Sequence, residues 1–143
     1  ETFKKFLSGA HAMDQHFVNA PATDNMPLIL ALTLIHNQKK HKITAKAIVP
    51  YAHALRFFPE WLQQLEMESH GKSITNDGSS CDPTTPVVFG SAGSNSQLSY
   101  FQMLHQGNQI IPVDFIAIKE PMSDLPEAKE HHQSLIDFCR FFE

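Results

Sequence analysis

Three short apolar runs, rich in β-branched residues and separated by helix-patterned stretches, constrain this chain most. They occupy residues 43–50, 86–89 and 109–118. Each is nearly continuous in apolar residues rather than alternating, which is how strands covered on both faces read. Strands of that kind are parallel and alternate with helices. The fold class expected is therefore α/β: a three-layer α/β/α sandwich with a mainly parallel sheet.

The helical stretches have their own signals. Phe3, Phe6, Leu7, Ala10, Met13 and Phe17 recur at three- and four-residue spacing, which makes one apolar stripe. Pro21 ends that helix, because the residue before a proline leaves helical geometry. Thr23, Asp24 and Asn25 offer capping oxygens, and Pro27 suits a first turn. Residues 28–35 are apolar nearly all round, the pattern of a buried helix. A stretch over 52–67 carries Leu55, Phe58, Trp61, Leu62 and Leu65 on one side, with Pro59 expected to kink or split it. Residues 73–85 carry turn chemistry. A helix over about 95–105 closes at Gly107, and a last helix runs through Phe142.

At 143 residues, 42% hydrophobic and 18% charged, the chain is expected to be a single domain, 1–143, with a real core. A formal net charge of −4 gives no basis for a nucleic-acid partner. The basic run at 38–42 falls at a helix end, where cations complement the dipole. Cys81 and Cys139 lack C-x-x-C spacing, so a reduced, cytoplasmic protein is expected. The longest apolar run, 26–35, is half of what a bilayer span needs, and no membrane partner is expected. The pairs His11/His16, His36/His41 and His131/His132 match no metal-ligand spacing, so no metal is expected. No G-x-S-x-G motif supports a serine nucleophile.

Glu68 stands at the end of a helical stretch, before a loop rich in Gly and Ser. A carboxylate so placed suits proton abstraction beside a carbonyl. Spacing alone does not separate it from Glu60 and Glu66 on a solvated helix face. Gln64, four residues earlier, shares its side of a helix. The turn at 90–95 joins a strand to a helix, where glycine is needed with or without a ligand.

The segment Gln63-Gln64-Leu65-Glu66-Met67-Glu68-Ser69-His70-Gly71-Lys72 resembles QQ-x-DMESNGK of the phosphoglucose isomerase family. Phe89-Gly90-Ser91-Ala92-Gly93-Ser94-Asn95-Ser96-Gln97-Leu98 is similar to that family's WGE-[PA]-G-T-N-G-Q-H. The runs at 6–14, 104–107, 111–116 and 131–135 extend the likeness over almost the whole chain. The resemblance implies a SIS-type sugar isomerase domain, excised from a larger, cofactor-free enzyme that interconverts glucose 6-phosphate and fructose 6-phosphate. The start without Met fits excision. It implies Glu68 as the base that moves a proton through an enediol, Gln64 as a sugar contact, and a homodimeric parent. The family's arginine and lysine segments should lie before Glu1 and after Glu143, so the chain alone is expected to be inactive.

The departures are equally specific. Leu98 stands where the family has a catalytic histidine that serves the neighbouring subunit's site. Phe89, Ser91 and Ser96 replace a tryptophan, a glutamate and a glycine. His70 replaces an asparagine and is the candidate substitute for the lost histidine. Leu98 is expected to pack at the start of its helix. The alternative reading is a non-catalytic sugar-phosphate-binding or dimerisation domain derived from that family.

Overall fold

The computed structural model describes residues 1–141. Internal contacts divide the chain into two compact units, 1–42 and 43–143.

The first unit holds helices α1 (Thr2–Asn19) and α2 (Met26–His41). The turn between them is set by side chains. Asn25 caps α2, its Oδ1 accepting the Leu28 N–H at 3.2 Å, while its Nδ2 donates to the Phe17 carbonyl at 2.8 Å. Pro27 lies in the first turn, where its missing N–H costs nothing. His16 accepts the Met26 N–H on Nε2 at 3.1 Å, so this histidine serves the turn. Lys39, Lys40 and His41 form the last turn of α2, and Lys42 closes it in the left-handed conformation. The expected burial of 28–35 is not found: Ile29, Leu30, Leu32 and Ile35 are exposed. An all-round apolar pattern records what a helix requires around it, and α1 alone does not supply that cover.

The second unit is built on β1 (Ala45–Pro50). A single 3₁₀ turn (His53–Leu55) leads to α3 (Phe58–Leu62), which continues as a π-helical segment (Gln63–Glu68). Strand β2 (Val87–Gly90) follows, then α4 (Gly93–Ser99), α5 (Phe101–Gln106), β3 (Val113–Ile116) and α6 (Ala128–Phe141). The strands order β2-β1-β3, all parallel.

Alternation along β1 separates two faces. Ala47, Val49 and Tyr51 meet Phe101 of α5 and Cys139 of α6, and all five are buried. The register sets Phe89 and Val113 on either side of Ala47, and Phe115 beside Val49, so the neighbouring strands widen that face. On the other face Lys46 reaches Glu66 of the π-helical segment at 2.9 Å. Helices thus cover both faces of a parallel sheet, as the apolar runs required.

Several boundaries differ from expectation. The stretch 52–67 is split, with Pro59 in the first turn of α3, and its end is π-helical. The helix expected over 95–105 breaks at Tyr100, whose φ of −133° and ψ of 0° are not helical. The strand expected over 109–118 pairs only where β1 lies opposite, Ala47 to Pro50, leaving Ile110 exposed. The expected passage of the last helix through Phe142 lies outside the described residues. Among the described residues no helix is long and apolar enough to cross a membrane.

Candidate functional site

Glu68 and Gln64 sit where α3 has widened into the π-helical segment, and both are exposed. Such local widening places side chains off the regular helical spacing and recurs at functional sites. The sequence implied an ordinary helical turn between the two residues. The observed turn is looser, but four residues still bring them close to one side.

The chain beyond Glu68 is held by backbone geometry. The Gly71 N–H returns to the Met67 carbonyl at 2.9 Å. A Cβ at Gly71 would lie 2.2 Å from that oxygen, so only glycine lets the chain fold back so tightly. Thr84 fastens the same loop. Its hydroxyl accepts the Lys72 N–H at 3.1 Å and bonds the His70 carbonyl. The Lys72 ammonium donates to the Glu68 carbonyl at 2.8 Å, which leaves the Glu68 carboxylate to solvent. His70 is exposed on this loop.

The second family-like segment, 89–98, starts within β2, where Phe89 pairs with Ala47, and continues past the strand into α4. α3 and its π-helical extension run back along β1, so that Glu66 pairs with Lys46 near the strand's start. Gln97, on α4, donates to the Tyr51 hydroxyl at 2.8 Å, just past the strand's end. Positions 46 and 51 are about 16 Å apart along an extended strand. Glu66, two residues before Glu68, is thus tied near the start of β1, and Gln97, next to Leu98, is tied just past its end. Leu98 is 92% exposed. The packing expected for it does not occur, because the inward face of α4 is taken by Gly93, Ser96 and Gln97.

That inward face is closely fitted. A Cβ at Gly93 would fall 2.5 Å from the Tyr51 ring, so glycine allows α4 to start directly against the phenol. Burial pushes the Tyr51 phenol above its ordinary pKa, and the Gln97 bond pulls the other way. Ser96 is fully buried, bonded to the Ser91 carbonyl at 2.8 Å and to Tyr100, whose ring meets Phe89 edge-on. Phe89, Ser91 and Ser96, three departures from the family pattern, thus form one connected group. The histidines do not gather: His36 meets His41 edge-on at the end of α2, and among the described residues no three metal-ligating side chains cluster.

Sequence reasoning missed a cavity at the carboxyl ends of β1 and β3, lined by Tyr51, Arg56, Met122 and His131 among others. The strand order, which locates such a crevice, is not written in the sequence.

Parallel strands with helices on both faces define an α/β domain. The family model described as phosphoglucose isomerase matches residues 1–142, and the chain belongs to that family. It is 47% identical to glucose-6-phosphate isomerase of Cupriavidus metallidurans over 140 residues, covering 97% of this chain and 25% of that protein. Against the enzyme of Leptothrix cholodnii it is 48% identical over 138 residues, with 96% and 25% covered. The chain thus spans about a quarter of the length of these relatives. The crystal structure of a glucose-6-phosphate isomerase from Chlamydia trachomatis superposes with a TM-score of 0.79 at 34% identity, covering 94% of this chain and 28% of that one. A hypothetical protein from Thermus thermophilus, 20% identical with a TM-score of 0.73, shares the fold.

Proposed function

We propose that residues 1–143 are one SIS-type domain of a longer, homodimeric, cytoplasmic enzyme. That enzyme interconverts glucose 6-phosphate and fructose 6-phosphate without a cofactor. The observation that carries this reading is Glu68, exposed on a fixed helix end inside the segment that matches the family. A carboxylate there removes the proton from the sugar carbon beside the carbonyl while the carbonyl oxygen takes up a proton, leaving an enediol. Returning the first proton to the adjacent carbon, as the other hydroxyl gives up its proton, completes the exchange of aldose and ketose. Gln64 contacts the sugar from the same helix. The placement of Leu98 beside Gln97, which is tied just past the end of β1, is in keeping with a site that draws on two copies of the chain.

The 143-residue chain alone is inactive in this reading, because a quarter of the relatives' length does not hold every positioned group that catalysis needs. A coupled isomerase assay tests it. The pure chain should turn over fructose 6-phosphate no faster than its Glu68→Gln variant, and activity above that control overturns the claim. In a protein extended to the relatives' length, Glu68→Gln should abolish proton exchange at the second carbon with ligand binding nearly intact. Exchange that survives removes Glu68 as the base.

Leu98 favours a second reading, a sugar-phosphate-binding or dimerisation domain without catalysis. Leucine transfers no proton, and losing such a group costs about 10²–10⁴ in rate. The extended protein separates the two readings: binding of the sugar phosphate without isomerisation supports the second.

A further inference from the structure

The carboxyl edge of the sheet holds a cavity distinct from the helix end that carries Glu68. The chain leaving the central strand β1 passes to α3 on one face. The chain leaving its neighbour β3 passes to α6 on the other, where Leu135 and Cys139 join the core. Connections that part to opposite faces from adjacent strands open a crevice outside the carboxyl ends of those strands, the place where open α/β sheets take ligands. Here the crevice opens to about 730 Å³ between the loop after β1 and the segment from Ile118 to Leu135. That is the size of a site for a small organic molecule.

The walls divide by chemistry. Ile118, Met122, Leu125 and Leu135 make an apolar side, while His53, Arg56, His131 and His132 supply cationic or donor groups against one acid, Glu127. The first turn of α6 also lines the cavity, and the amino-terminal end of a helix favours negative charge. His132 Nε2 is buried with no hydrogen-bond partner among the described residues.

We propose that this cavity binds a small organic anion, a carboxylate or phosphate monoester carried on an apolar ring or chain. Arg56 and His131 hold the acid group, and Met122 and Leu125 cover the apolar body. Glu68 does not line this cavity.

The test uses the 143-residue protein with ¹³C-methyl-labelled methionine, following the Met122 methyl by NMR. The probes are phenyl phosphate, benzoate and the neutral benzyl alcohol. At least one acid should shift Met122 saturably, and the tighter of the two tells phosphate from carboxylate. Benzyl alcohol should bind about tenfold more weakly or worse, and Arg56→Gln should weaken the acid by a similar factor, since a charge-assisted bond is lost. Leu125→Glu, on the exposed loop, puts a repelling charge in the cavity and should abolish binding of the acids. The proposal is overturned if neither acid moves Met122. It is also overturned if benzyl alcohol binds as tightly as the acids, or if Leu125→Glu leaves their binding unchanged.

Discussion

Tyr100 donates a 2.6 Å hydrogen bond to Ser96 Oγ, one turn back across the point where α4 gives way to α5. Ser96 is fully buried and in turn bonds the Ser91 carbonyl, so a helix break is held by a closed polar group. The family pattern has glycine at 96. Restoring it by Ser96→Gly removes the acceptor from Tyr100 and should destabilise the domain by about 1–3 kcal/mol. Tyr100→Phe should cost about 1 kcal/mol, and the double variant less than the two added together. Urea denaturation of the four proteins measures the coupling. Strict additivity would show that the bond contributes nothing.

The Lys46–Glu66 pair ties the π-helical segment to β1 at 2.9 Å, with both side chains less than one-fifth exposed. Burial on this scale lies between the surface and interior cases. Glu66→Ala should therefore cost about 1–2 kcal/mol, more than a surface pair contributes and less than a fully buried one. Glu60→Ala, on the exposed side of α3, should stay within about 0.5 kcal/mol of the parent. Equal thermal midpoints for the two variants would remove the pair from the account of how Glu68 is positioned.

The elements were legible in the sequence wherever one local rule governed them. Asn25 and Pro27 announced the start of α2, and the apolar runs announced β1 and β2. What could not be read depended on partners distant in the chain. Residues 109–118 look like one strand, but only 113–116 lie opposite β1. The break falls at Tyr100, whose hydroxyl bonds Ser96, and periodicity is blind to it. Leu98 reads as a packing residue by composition, yet it points away because Gly93, Ser96 and Gln97 hold the inner face. Glu68 and Gln64 were singled out by the family likeness and not by spacing. The carboxyl-edge cavity requires the strand order and could not have been found at all.

Asp77 titrates low, at about 2, because Thr75 donates to its carboxylate and the Ser79 N–H adds a bond at 3.1 Å. The folded value lies below the unfolded one. The turn's contribution to stability is therefore present above about pH 4 and is lost as pH falls through about 2. NMR titration of the side-chain carboxyl should give a midpoint near 2, moving towards the ordinary range in Thr75→Val. A wild-type midpoint in the ordinary range would show that the turn does not hold the charge.

Glu66 is tied near the start of β1 and Gln97 just past its end, and in the proposed enzyme Glu68 and Leu98 act in different sites of a dimer. Leu98 is 92% exposed, and Leu98→His should change stability by less than about 0.5 kcal/mol. Its effect on ring opening depends on whose site it enters, and mixed dimers decide this in the extended protein. Wild-type chains paired with chains carrying both Glu68→Gln and Leu98→His contain one site that joins Glu68 of the first chain to the imidazole introduced in the second. That site should convert closed-ring glucose 6-phosphate about a hundredfold faster than a wild-type dimer site, the lower end of what a positioned proton donor supplies. Mixed dimers of the two single variants contain no such site and should show no gain. If the single-variant mixture gains instead, residue 98 serves its own chain's Glu68, and the two-copy arrangement is wrong. If neither mixture gains, ring opening does not pass through position 98, and His70, on the loop after Glu68, becomes the residue to replace.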